Sequence, residues 1–208
     1  MRRIDGVAGQ EFNLFVENIP AWTGWLATLV STEDGLLVGP DGNSKDIGNQ
    51  VDLNLLMALR SKADVICTTG KTARAESYKA SRFAPLAFLT NSAKSLAEIP
   101  AVVEPGSHEN IFLEPKDSGI SFDWVNTQLN NRGFTSLLFE GGPSSLEALW
   151  MSDLPTQLVF SIANCQNPEA VDVSQVLKAA LPWLNSHELA DDIVIGSNRV
   201  TRWVKSPK

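Results

Sequence analysis

The chain has 208 residues, 43% hydrophobic and 20% charged, a composition that excludes a disordered chain and suits one globular domain. Its formal net charge of −7 excludes a broad basic face for duplex nucleic acid, so an anionic ligand has to be held locally by backbone amides and a few placed cations. Cys67 and Cys165 stand far apart without a CxxC partner, which indicates neither a zinc site nor a disulfide framework.

The first twenty residues, MRRIDGVAGQEFNLFVENIP, carry two arginines but no apolar run long enough for a secretory signal, and Asp5, Glu11 and Glu17 interrupt them. A cytoplasmic protein that does not engage membranes is expected. No repeat, low-complexity tract or linker divides the chain. Residues 1–208 therefore read as a single domain, with 1–21 preceding a motif-bearing core of about 22–151.

A first strand is predicted over 25–30, leading into the Gly-rich turn STEDGLLVGPDGNSKD. A helix follows in VDLNLLMALRSK, with Leu53, Leu56 and Met57 on one face and Asp52 as its N-cap. Strand 64–68 places Cys67 in the core and ends in the loop GKTARAE. Short apolar runs at 85–90, 101–103 and 111–113 read as strands. In SFDWVNTQLNNRG, Phe122, Val125 and Leu129 form a helical stripe with Ser121 as cap and Gly133 as stop. Strand 135–139 runs into a helix that starts at Pro143, whose missing N–H suits the first helical position, and that buries Leu146, Leu149 and Trp150. Runs at 157–163 and 199–204 give a strand-rich C-terminal part. Such alternation predicts an α/β three-layer sandwich, its central strands largely parallel and covered by helices on both faces, with antiparallel pairing near the C-terminus making the sheet mixed.

Three stretches carry possible chemistry. In FEGGPSSLEALW a strand meets Gly-Gly-Pro and a helix start, where unpaired backbone amides can receive an anion and Ser144 and Ser145 can add hydroxyl donors. Alone it reads first as a tight turn, since neither G-x-G-x-x-G nor G-x-x-x-x-G-K-[ST] is present. The loop GKTARAE gathers Lys71, Thr72, Arg74 and Glu76, either a solvated charged loop or a phosphate contact. Ser31, Asp34 and Ser44 straddle the first Gly-rich turn, where an acid can supply a proton or the glycine can simply shape the turn.

Taken together, the S-x-x-DG segment, LMALRSKADVICTTGKTARAESY and LLFEGGPSSLEAL resemble the reductase domain of bacterial riboflavin biosynthesis, and more closely its stand-alone pyrimidine-reductase-like members. The resemblance covers about residues 22–151 and implies a dihydrofolate-reductase-like fold and hydride transfer from NADPH. It implies that Thr72 and Glu76 touch the dinucleotide, and that Gly141, Gly142, Pro143, Ser144 and Ser145 receive its phosphates. On the substrate side it implies Ser44, Arg60 and Glu140, with Asp34 where substrate meets nicotinamide, so that Asp34 or Glu140 is the expected proton source. The expected substrate is a pyrimidine-ribosyl compound or related heterocycle. A dihydrofolate or pterin substrate, or a catalytically silent nucleotide-binding scaffold, is the alternative.

This chain departs from the family pattern in three places. One extra residue separates Ser31 from Asp34-Gly35, Ser77-Tyr78 replaces Asn-Pro after Arg74-Ala75-Glu76, and the Asp-Glu-Leu and Pro-x-x-Gly-Gly segments are missing beyond Met151. The resemblance also implies a homodimer joined through the C-terminal strands. No metal is expected. His108 and His187 read as exposed, and the tryptophans as core or interface area, with Trp22 and Trp25 able to wall a pocket.

Overall fold

The computed structural model describes residues 1–4, 11–115 and 121–206. In chain order the elements are β1 (Arg2–Arg3), α1 (Glu11–Asn18), β2 (Gly24–Ser31), α2 (Gln50–Arg60), β3 (Val65–Thr69), α3 (Gly70–Ala75), β4 (Leu86–Leu89), α4 (Pro100–Val103), β5 (Ile111–Leu113), α5 (Phe122–Asn130), β6 (Ser136–Phe139), α6 (Pro143–Met151), β7 (Thr156–Ile162), α7 (Val173–Ala180), β8 (His187–Ile195) and β9 (Asn198–Lys205). Among the described residues the strands form one sheet in the order β1-β8-β9-β7-β2-β6-β3-β4-β5. From β7 to β5 all neighbours are parallel, whereas β9 runs antiparallel to both β7 and β8. The mixed three-layer architecture expected from the alternation of elements is the one observed.

Parallel strands covered on both faces are buried on both faces, and VICTT and SLLF are buried almost throughout. Their side chains alternate between two cores. Trp25, Val65, Cys67, Leu137, Phe139, Leu158 and Phe160 pack with α5, α6 and α7 on one face. Leu26, Ile66, Leu86, Phe88, Leu138 and Val159 pack with α1 and α2 on the other. Trp22 and Trp25 belong to these cores, and Trp25 also donates its indole N–H to Asn126 Oδ1 at 3.1 Å.

Several local expectations are corrected. The buried face of α2 is Leu55, Ala58 and Leu59, while Leu53 is exposed. Six apolar residues between 53 and 59 nearly encircle this helix, so periodicity names no single face and docking on the sheet chooses it. Its N-cap is Asn49, whose side chain accepts the Asp52 N–H at 3.0 Å, and Asp52 lies inside the first turn. Residues 101–103 are helical, because Pro100 opens α4 after an extended Ile99 and the chain turns before reaching the sheet. The loop GKTARAE is the short helix α3, capped by the Thr69 hydroxyl. Ser121 does occupy the N-cap of α5, although its side chain makes no capping bond, and Gly133 (φ 87°) takes the left-handed turn after that helix. His108 and His187 are half-buried rather than exposed, His187 against the Trp203 ring. Among the described residues, no helix is long and apolar enough to cross a membrane.

Candidate active site

Because β2, β3, β4 and β6 run parallel, their C-terminal ends open on one edge of the sheet, and the segments that follow them enclose a cavity of about 1210 Å³ there. A crevice beyond the carboxyl ends of parallel strands is where α/β folds generally hold ligands. The wall comes from the end of β2, the loop carrying Leu37, Val38, Gly42 and Ser44, the first turns of α2, all but one residue of α3, the Leu89–Ser92 segment, and Glu140 to Ser145.

At the floor, β6 hands over to the glycine corner. The Glu140 N–H bonds Cys67 O at 2.8 Å and its carbonyl accepts the Thr68 hydroxyl at 2.9 Å, so the backbone here is an extension of the ladder. Its side chain is 6% exposed. Arg60 grips the carboxylate with two bonds, Nε to Oε1 at 2.8 Å and Nη2 to Oε2 at 2.5 Å, and the Tyr78 hydroxyl donates to Oε2 at 2.6 Å. A buried carboxylate needs such bidentate and neutral donors to offset its lost hydration. Burial pulls the Arg60 guanidinium down, but the charge and hydrogen bonds of Glu140 outweigh it and hold it above its usual value. Burial first, and Glu140's charge second, push the Tyr78 hydroxyl well above its ordinary range and the Cys67 thiol up as well. These three side chains form a closed cluster with the arginine also lying 5.5 Å from the Tyr78 ring centroid.

The two glycines of the corner differ in kind. A Cβ on Gly141 would stand 2.1 Å from Cζ of Phe139, so core packing demands glycine there. Gly142 has φ −72° and ψ 170°, open to any residue, and a Cβ would meet only Thr72 Oγ1 at 3.8 Å. Nothing in the protein itself requires glycine at 142. What a side chain would fill is the cradle at the start of α6, where Pro143 has no N–H, the Ser145 N–H bonds Gly142 O at 3.1 Å, and the Ser144 amide is the one left for an incoming group. Thr72 braces this cradle: its hydroxyl accepts the Gly142 N–H at 3.2 Å and lies 2.9 Å from the Thr69 hydroxyl.

Lys71 and Arg74 line the same cavity from α3, with Arg74 Nη1 donating to Ser95 Oγ at 3.2 Å. Glu76, at the end of α3, accepts the Ser44 N–H at 2.7 Å and so fastens the β2–α2 loop across the cavity. The structure thus gathers Ser44, Thr72, Glu76, Glu140, Gly141, Gly142, Pro143, Ser144 and Ser145 around one space. Two expected residues stand apart. Arg60 does not line the cavity and meets it through Glu140 and Tyr78, and Asp34 is exposed in its turn, accepting from the Thr32 hydroxyl. That turn needs its glycine: Gly35 (φ 85°) packs so tightly on α7 that a Cβ would come within 2.9 Å of Ala179 Cβ.

Sequence reasoning missed Asp52 as a site residue by assigning it to a cap. It is half-buried and lines the cavity beside Leu56. Burial raises its carboxyl from an ordinary 3.8 to about 6, against the opposing pull of a hydrogen bond with Ser161. Ser161 is itself buried and accepts from Asn198, which in turn accepts from Asn49, the cap of α2. A lone acid among Val51, Leu53, Leu55 and Leu56 was the available signal.

This chain has a dihydrofolate-reductase-like fold. It is similar to a pyrimidine reductase-like protein from Corynebacterium diphtheriae at 17% identity, over 93% of this chain and 98% of that one, with a TM-score of 0.62. A diaminohydroxyphosphoribosylaminopyrimidine deaminase/5-amino-6-(5-phosphoribosylamino)uracil reductase from Thermotoga maritima matches at 15% identity and TM-score 0.65, over 94% of this chain and 60% of that one. A dihydrofolate reductase from Schistosoma mansoni matches at 13% and TM-score 0.54, over 88% of this chain and 99% of that one. No protein-family model and no curated protein matches the chain.

Proposed function

We propose that this protein is an NADPH-dependent reductase of a pyrimidine-ribosyl or related heterocyclic substrate. The observation that carries the proposal is the cradle at Gly142, which is kept free of a side chain although the protein's own packing would accept one. Fold likeness to solved reductases supports it. In this reading the α6 start, Ser144 and Ser145 hold the dinucleotide's phosphates, Thr72 keeps the cradle in shape, and Lys71 and Arg74 supply the local positive charge that the chain as a whole lacks. NADPH, when bound, supplies the hydride.

The substrate lies on the side of the end of β2 and of Asp52. Asp52 is the residue proposed to deliver the proton, since its carboxyl retains one up to a pH of about 6. Glu140, gripped by Arg60 and Tyr78, positions the floor, and Asp34 serves its turn. A homodimer joined through β8 and β9 belongs to the same proposal. Its check is light scattering at micromolar concentration, where a monomer mass counts against it.

The direct test is a titration of the protein with NADPH and with NADH, followed by tryptophan fluorescence and calorimetry. Saturable binding that favours NADPH and weakens in Thr72→Val is expected. No binding of either dinucleotide refutes the proposal.

A further inference from the structure

The charges lining the cavity are divided by the order of the strands. Among the described residues its only lining cations are Lys71 and Arg74, both on α3. Arg74 reaches still further from β2, to Ser95 beyond the end of β4. In the sheet, β6 separates β3 and β4 from β2, so both cations lie on the dinucleotide side of the Glu140 floor.

The other side has a different character. Leu29, Leu37, Val38 and Leu56 give it apolar walls, and its charged group is the carboxyl of Asp52. Arg60 cannot be turned toward a ligand, because releasing Glu140 would strand a buried carboxylate. The nearest remaining cation of the β2–α2 loop, Lys45, has an exposed side chain that does not line the cavity. Among the described residues, a phosphate dianion placed here would meet a carboxyl group and no counter-charge.

We infer that the substrate, if the NADPH-dependent reading above holds, is an uncharged heterocycle without a phosphate group, held flat between the apolar walls with a polar edge at Asp52. This sets the protein apart from the Thermotoga reductase, whose named substrate bears a phosphoribosyl group. The overall change is a two-electron reduction: the acceptor carbon gains a hydride, its heteroatom gains a proton, and NADPH is oxidised to NADP⁺.

The test uses protein already shown by titration to be loaded with NADPH, so that failure of cofactor binding is scored separately and against the function itself. Matched pairs are compared by calorimetry and by loss of NADPH absorbance: 5-amino-6-ribosylaminouracil against its 5′-phosphate, and dihydroneopterin against its monophosphate. At least one unphosphorylated compound is expected to bind tenfold or more tightly than its phosphorylated partner. The gap should narrow as salt rises, because repulsion between exposed charges is screened. Lys45→Ala should change neither member of a pair by more than twofold. Equal or tighter binding of a phosphorylated member overturns the inference. So does a selective loss of it in Lys45→Ala, and so does loaded protein that binds no unphosphorylated member.

Discussion

Gly142→Ala adds one methyl group where the backbone raises no objection, and the structure separates its two consequences. At φ −72° and ψ 170°, with the nearest atom to the new Cβ at 3.8 Å, the substitution removes freedom mainly from the unfolded chain. Replacements of this kind stabilise by about 0.4–1 kcal/mol. For a chain of this size that is a rise in Tm of about 1–4 °C. The methyl also fills the proposed cradle, so NADPH affinity should fall at least tenfold, about 1.4 kcal/mol. Gly141→Ala is the control one residue away. Its Cβ would lie 2.1 Å, 2.6 Å and 2.9 Å from three atoms of the Phe139 ring. That ring is fully buried and held edge-on against Trp25 and Phe122, so it has nowhere to retreat. Overpacking of this kind costs about 1–3 kcal/mol. Calorimetric melting and NADPH titration of the two variants side by side should give a stable non-binder at 142 and an unstable protein at 141. A Gly142→Ala protein that binds NADPH like the parent, or melts as early as Gly141→Ala, refutes the distinction.

Asp52 should make stability, and in the proposed reductase activity, pH-dependent. With its folded pKa raised from 3.8 to about 6, the native state binds the extra proton between those values, so this group's penalty is absent below the lower one and complete above the higher. Allowing for partial exposure, the penalty is about 2 kcal/mol. Asp52→Asn should therefore raise Tm more at pH 7.5 than at pH 4, and equal shifts would contradict the assignment. In the same enzyme kcat/KM should fall as pH rises through about 6, as the proton on Asp52 is lost; a profile unchanged in Asp52→Asn removes it as the proton source. Arg60→Met leaves Glu140 buried without its counter-charge and should cost about 3–5 kcal/mol by chemical denaturation, most of it recovered when Glu140→Gln is added. If the double variant is no better than the single, the two do not act as a pair. Glu76→Ala releases the Ser44 amide, and hydrogen exchange should quicken between residues 36 and 48 with little change in the global melt.

Much of the frame was legible because its signals are local. The apolar runs at 64–68 and 135–139 became adjacent parallel strands. Pro143 opens α6, and the stripe of Phe122, Val125 and Leu129 is buried. The glycine corner and the GKTARAE segment were singled out separately, and their meeting through Thr72 and Gly142 follows from β3 and β6 being neighbours. Residues 101–103 misled because two valines favour a strand, while Pro100 and the turn before it decided for a helix. The elements α1 and β8 carry mixed polar patterns that docking makes regular, whereas α7 was missed although Val173, Val176 and Leu177 repeat at helical spacing behind the Asp172 cap.

The sequence by itself determined the class of fold, the parallel core and the corner that a ligand could enter, since hydrophobic period, caps and proline positions act within a few residues. Tertiary structure alone decided the surroundings of the acids. Glu140 is tied to an arginine 80 residues away, Asp34 is left in solvent, and Asp52 lines the cavity, where burial raises its carboxyl to about 6. The three are the same kind of chemical group. What separates them is how much water the closed sheet leaves around each and which charge it brings alongside, and neither is written in the neighbouring residues.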